Sequence, residues 1–448
     1  LARTACTLAV LFAGLAVGLG AQSATVPRLS FAAGKVLGGE LPGSGDAETV
    51  AAADLNGDDR SDLVLGSFQD EAVWVALSTP HDGLVAQPTE YPVAGGPAAF
   101  ATGDLNGDDS KDVVIAGGTG AKTVSVLLNR GDGSFQQHVD YATAASPQGV
   151  AVADLDGDGK PDVVTADSAA RVVSVLLNRG DGTLAPRTDF RTGALPTGVA
   201  IGDLNGDGKP DLVTANGGAA SISVLLNRGG GSFAPRTDIA VGSPANSVAL
   251  ADFDGDGKLD VATASPRRRH RHDVSVLLGR GDGGFRPRRD YAVSVYASRI
   301  VAGDLNGDGR PDLAVSDSGA LAVFLNRGSA FDSRLWYGLS DTTAAGDFNA
   351  DGRLDLAGAW VNDRNGDWNV TVHLNRPGLC AVQDVRRLTL AAAGQLLARA
   401  DCRVGKVRRA SSRTVAKGRV VSQRPRFPGV LAGGGRVALV LSLGRRGR

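Results

Sequence analysis

Methionine is absent from this chain of 448 residues, and cysteine occurs only three times. That leaves room for one disulfide at most. The five histidines, His81, His138, His270, His272 and His373, show neither metal-ligand nor catalytic-triad spacing. Long apolar runs are missing too. Leu8 to Leu19 is too short and too glycine-rich for a membrane span, and nothing else comes close. Gly117-Gly118-Thr119-Gly120-Ala121-Lys122-Thr123 lacks the glycine before lysine that a phosphate loop requires. Gly279-Arg280-Gly281-Asp282-Gly283-Gly284 fits a dinucleotide fingerprint in letters only, because no helix follows it. Arg-Gly-Asp at Arg130, Arg179 and Arg280 recurs in one hairpin turn each time, so turn chemistry accounts for it. No nucleotide, zinc or hydrolytic machinery is legible.

What is present is an acidic loop of nine residues, spelled seven times at intervals of 43 to 52 residues. The fourth copy reads Asp203-Leu204-Asn205-Gly206-Asp207-Gly208-Lys209-Pro210-Asp211. Oxygen-bearing side chains occupy its odd positions. Position 1 holds Asp54, Asp104, Asp154, Asp203, Asp252, Asp304 and Asp347. Position 3 holds Asn56, Asn106, Asp156, Asn205, Asp254, Asn306 and Asn349. Position 5 holds Asp58, Asp108, Asp158, Asp207, Asp256, Asp308 and Asp351. Position 9 holds Asp62, Asp112, Asp162, Asp211, Asp260, Asp312 and Asp355. Glycine stands at position 4 in six loops and at position 6 in five, which lets the backbone curl around a point. Hard oxygen donors on such a backbone suit Ca²⁺, up to seven ions in a structural role. An EF-hand needs a carboxylate at position 12, where these loops carry Leu65, Ile115, Thr165, Thr214, Thr263, Val315 and Gly358. The ninth residue is therefore expected to close each cage.

Strand-like runs surround every loop. In the third unit they are Val150–Ala153, Asp162–Ala166, Val172–Asn178 and Pro186–Phe190, with an Asn-Arg-Gly-Asp-Gly turn before the last. The first run is rich in Ala and Gly, as the innermost strand of converging sheets must be. The pattern predicts an all-β, seven-bladed β-propeller of four-stranded blades over residues 25–376. These units resemble FG-GAP/VCBS-type repeats and the calcium-bearing blades of integrin α-subunits. Ala350, Asp59 and Asp109 depart from that pattern by replacing loop glycines. The last unit lacks a fourth strand, and Arg28–Ala33 is expected to supply it.

Leu1 to Ala24 reads as a secretory signal, with Arg3 ahead of the apolar run and small residues near Ala21. Cys380 and Cys402 are then the natural disulfide pair. From Pro377 onward there are 16 basic and 2 acidic residues, leaving 31 basic against 46 acidic before it. Seven calcium ions would bring that acidic part near neutrality. Residues 379–444 predict a small α+β domain, with a helix capped by Thr389 and strands near 405–407, 418–423 and 437–444. Ala381-Val382-Gln383-Asp384-Val385, the helix and the last Val-rich strand resemble a PASTA domain. That resemblance implies contact with peptidoglycan or anionic cell-wall polymers. Glycans or surface proteins are expected partners for the propeller, through a face bearing Arg267, Arg268, Arg269, Arg271, Trp360 and Trp368. The whole reads as a secreted, monomeric binding or adhesion protein, possessing no catalytic residues and no nucleic-acid partner. An extracellular polysaccharide lyase or hydrolase on a propeller scaffold is the alternative.

Overall fold

The structure is a computed structural model. It describes residues 35–37 and 47–444, apart from short internal segments of at most seven residues, 267–273 being the longest. The expected signal, the Arg28–Ala33 run and Arg267–Arg271 lie outside the described residues. Among the described residues there are seven four-stranded antiparallel sheets. In the third, strands Pro147–Ala153, Asp162–Asp167, Val172–Leu176 and Thr188–Arg191 pair in chain order. Its outermost strand begins at Thr188, two residues later than the sequence pattern suggested.

Burial explains the composition of each strand. The second strand, Asp-Val-Val-Thr-Ala-Asp, is buried along its whole length because a neighbouring sheet covers each of its faces. Leu155, Val164, Val173 and Val175 of sheet three pack with Leu212, Leu225 and Phe233 of sheet four. Each such aliphatic side chain contributes about 1.5–3 kcal/mol by leaving water. The same packing continues to the end, where Phe348, Ala357 and Val370 of the last sheet meet Leu63, Leu65 and Trp74 of the first. Inner strands touch in cyclic order, and a side chain there would collide. A Cβ on Gly149 would stand 3.0 Å from Gly198 Cα of the next sheet. The arrangement is consistent with a β-propeller.

The fourth strand of the last sheet comes from the other end of the chain. Lys35–Leu37 pairs antiparallel with Trp368–His373, Val36 lying opposite Thr371. This strand follows closely on the expected Arg28–Ala33 run, which itself lies outside the described residues. The pairing partner, more than three hundred residues away, sets the register, and local pattern does not reveal it.

One buried carboxylate outside the acidic loops gives a pH-dependent prediction. Asp167 ends the second strand of sheet three, where Ala144 N and Thr165 Oγ1 donate to it at 3.2 and 3.1 Å, and Ser174 Oγ also donates. Burial pushes its pKa up to about 6 despite those bonds. Sheet four places Asn216 in the same setting, between Thr214 and Ser223. Because the folded pKa of Asp167 lies above its unfolded value, its contribution is fully present below about pH 4 and is lost as pH rises to about 6. Asp167→Asn should therefore stabilise the protein at pH 7, on the order of 1–3 kcal/mol, and scarcely at pH 4. Denaturant titrations of both proteins at the two pH values check this; an equal difference at both contradicts it.

The C-terminal segment carries the only α-helix among the described residues, Leu390–Arg399. Thr389 Oγ1 caps it by accepting from Ala392 N at 3.2 Å, and Ala393 and Leu397 are its buried side chains. A three-stranded sheet follows in the order Arg403–Ala410, Arg436–Ser442, Val420–Arg424. Leu379–Val382 pairs with Gly429–Ala432, a strand with no forecast in the sequence pattern. The buried cluster of this segment runs on into that of sheets six and seven.

Candidate metal centres

Each acidic loop joins the first strand of a sheet to the second, so all seven emerge at one end of the inner strands. The loop is held by its own carboxylates. In the fourth copy Asp203 Oδ1 accepts from Gly206 N at 2.7 Å, and its Oδ2 accepts from Gly208 N at 2.8 Å. Asn205 Oδ1 accepts from Asp207 N at 2.9 Å, and Asp207 Oδ1 from Lys209 N at 3.0 Å. Positions 4 and 6 are left-handed in all seven loops, including Asp59 at φ 64°, Asp109 at φ 66° and Ala350 at φ 56°. The three replacements thus keep the loop shape at a cost in backbone strain. A side chain meets nothing within 4 Å at the glycines of these positions, so the strain is conformational alone. Ala350→Gly relieves about 1–2 kcal/mol of strain and loses about 0.4–1 to unfolded-chain entropy. A net gain of about 0.5–1 kcal/mol is expected in equilibrium unfolding, and a loss of stability would refute it.

The ninth residue does something the spacing did not reveal. Its carboxylate is a buried clamp, accepting from the backbone at position 2 in every loop. In the third, Asp162 Oδ2 accepts from Leu155 N at 2.9 Å and Oδ1 from Asn178 N at 2.8 Å. Position 2 is an apolar anchor, Leu or Phe, buried in each copy. Carboxylate oxygens come within 4.8 Å of one another for Asp154, Asp156 and Asp158, and for Asp252, Asp254 and Asp260. Only in the latter does the ninth residue join such an acidic cluster. The other five loops carry Asn at position 3 and, among the described residues, bring no three carboxylates that close.

The donor set fits a hard cation, and one loop shows why it is incomplete without one. Asn306 Oδ1 and Asp308 Oδ2, at positions 3 and 5 of the sixth loop, are buried and accept no hydrogen bond. Burial, then the nearby Asp308 and Asp304 charges, push the Asp312 pKa up to about 8. Burial likewise raises Asp355 to about 7 and Asp62, Asp112, Asp162 and Asp260 to about 6. A cation would favour the charged form at each position. Elsewhere a side-chain cation covers position 5, as Lys160 does for Asp158 at 2.8 Å and Arg60 for Asp58 at 3.2 Å. Such exposed pairs are worth about 0–1 kcal/mol and are readily displaced.

A further set of residues escaped the sequence reading. Asn178 Nδ2 donates at 2.9 Å both to Leu105 O, in the loop of the preceding sheet, and to Pro161 O, in its own. Asn129, Asn227, Asn326 and Asn375 repeat the same double bond. These asparagines stitch acidic loops to their neighbours at five of the seven junctions; Gly279 and Ser78 stand at the position in sheets five and one. Four of them open an Asn-Arg-Gly sequence and Asn375 opens Asn-Arg-Pro, and the recurrence of Asn-Arg was the available signal.

The expected ligand face is described only in part. Trp360 pairs with Asn369 and Trp368 with Val361, at the hairpin end remote from the acidic loop.

The FG-GAP-like repeat family matches six overlapping stretches: residues 54–115, 104–165, 154–214, 203–263, 252–315 and 304–358. No curated protein matches the chain. Among solved structures, BBS1N in complex with ARL6DN, soaked with lead, aligns with a TM-score of 0.54 at 13% identity, over 78% of this chain and 98% of that one. The same complex soaked with mercury aligns with a TM-score of 0.53 at 14% identity and the same coverage. An Agrocybe aegerita lectin specific for non-reducing terminal N-acetylglucosamine aligns at 0.47 and 21% identity, over 66% of this chain and 81% of its own.

Proposed function

We propose, from the premise that this chain belongs to the FG-GAP-like repeat family, that it is a calcium-stabilised propeller acting as a binding protein at a cell surface. Seven blades form the complete ring, each with a calcium loop, and a PASTA-like unit follows. The Thr389-capped helix and the sheet after it support that last assignment. Cys402, held in a disulfide, supports its pairing with Cys380. The chain is secreted and works without catalysing a reaction.

One observation carries the binding reading. The strand Arg403–Ala410 is an edge strand whose Arg403, Lys406, Arg408 and Arg409 are all exposed. Four cations along one exposed edge attract anionic polymers such as those of a cell wall. Because the core of this segment continues into the ring, the test uses the full chain. Retention on purified sacculi should fall steeply between about 0.1 and 1 M salt, as the Debye length shrinks from about 10 to 3 Å. Arg408→Ser with Arg409→Ser should weaken it at low salt. Retention indifferent to both salt and substitution would point to muropeptide recognition in place of charge. Release of soluble sugar from the same sacculi would favour the enzyme alternative.

A further inference from the structure

The inner strands of all seven sheets enclose a cavity of about 160 Å³ on the axis. Its wall is built from the beginnings of those strands, the end away from the acidic loops, and Thr49, Thr197, Asn246, Ser247, Arg299 and Thr343 are its polar members. One charged side chain stands among them. Arg299 occupies, in sheet six, the bulge position that glycine fills as Gly149 and Gly198 in sheets three and four. Those glycines lie close against the next inner strand, whereas from this position in sheet six the arginine side chain extends across the cavity. Its Nη2 donates to Ala98 O at 2.8 Å, a carbonyl at the start of the inner strand of sheet two. Sheets six and two lie on opposite sides of the ring, so the guanidinium spans the channel.

We propose that this axial cavity is a binding site for a small oxyanion, a carboxylate or sulfate group, held by Arg299 and Thr343. A guanidinium has five N–H donors, and a single carbonyl bond leaves most of them unused. Among the described residues no carboxylate compensates it, and burial pulls its pKa below the ordinary value. A charge held so, partly buried and with no carboxylate beside it among the described residues, gains from an anion that reaches it. The second observation is independent. Thr343 Oγ1, from sheet seven, lines the same cavity and is buried without a hydrogen-bond partner. Ser247 Oγ accepts from Ile300 N at 3.3 Å, which leaves its O–H to donate. Arginine matches the planar oxygen pair of a carboxylate and also bonds tetrahedral oxyanions, and hydroxyl donors complete either shell. None of the residues lining this cavity belongs to the acidic loops or to the basic strand Arg403–Ala410.

The test is thermal melting of the full-length, calcium-loaded protein at fixed ionic strength. The probes are acetate and D-glucuronate for carboxylate, sulfate for the tetrahedral anion and D-glucose as neutral control. A saturable rise in melting temperature with at least one oxyanion, and none with glucose, is expected. Arg299→Gln should weaken the fitted affinity about tenfold or more. In the absence of probe the variant should melt at or above the parent, since an uncompensated charge is gone. Thr343→Val should lie between the two proteins. No saturable rise in the parent, or an equal rise in Arg299→Gln, would overturn the site. So would a variant that melts lower by the same amount with and without probe, because that makes Arg299 only a strut to Ala98.

Discussion

In excess chelator the protein is expected to melt on the order of 10 °C lower than in 1 mM calcium. Sites in extracellular modules bind at about 10⁻⁴–10⁻³ M. At the tighter end, 1 mM calcium stabilises the fold by about 1.4 kcal/mol per site, and seven independent sites by about 10 kcal/mol. Spread over a ring of this size, with about 2.1 cal/mol/K of unfolding entropy per residue, that is roughly 13 °C. The sixth loop should contribute most clearly, because Asn306 Oδ1 and Asp308 Oδ2 have no other partner. Asp308→Ala should therefore remove part of the calcium-dependent rise while leaving melting in chelator almost unchanged. Scanning calorimetry with chelator, then with calcium added back, measures both. An unchanged melting temperature in chelator would remove calcium from the account of this fold.

Substitution of Asn178 by Leu should cost about 3–5 kcal/mol, whether or not calcium is present. The side chain makes two buried bonds to Leu105 O and Pro161 O, and its Oδ1 accepts from Gly180 N at 2.9 Å. Leucine fills similar space and satisfies none of them, and each buried group left alone costs about 1–3 kcal/mol. The loss differs in kind from that at Asp308, because Asn178 joins two sheets and is not a proposed ligand. Urea unfolding in calcium and in chelator should show the same deficit. A deficit confined to calcium would make Asn178 part of a metal site. No deficit at all would mean that apolar packing between sheets three and two holds the ring without the stitch.

The repeat, its strands and its loop shape were legible because each is encoded within a dozen residues. Period-two alternation gives the strands, and glycine at positions 4 and 6 gives the left-handed turns. Thr389 announced the start of its helix for the same reason, through a bond to a residue three places on. Position 9 was legible as a carboxylate but not as a clamp, since half of its bonding comes from Asn178, sixteen residues later. The asparagine stitch was hidden inside a turn motif whose local chemistry seemed sufficient.

The sequence by itself determined that this is an all-β repeat protein with seven oxygen-rich loops of one shape. The tertiary structure decided where the ring closes, with Lys35–Leu37 against Trp368–His373. It also decided that Arg299 of one sheet should reach Ala98 of another, 201 positions away in the chain, across a cavity lined by all seven sheets. Local propensity is set by neighbours along the backbone, so it specifies each sheet in turn. Contacts at the axis and at the seam arise only when every sheet is in place, and no window of sequence contains them.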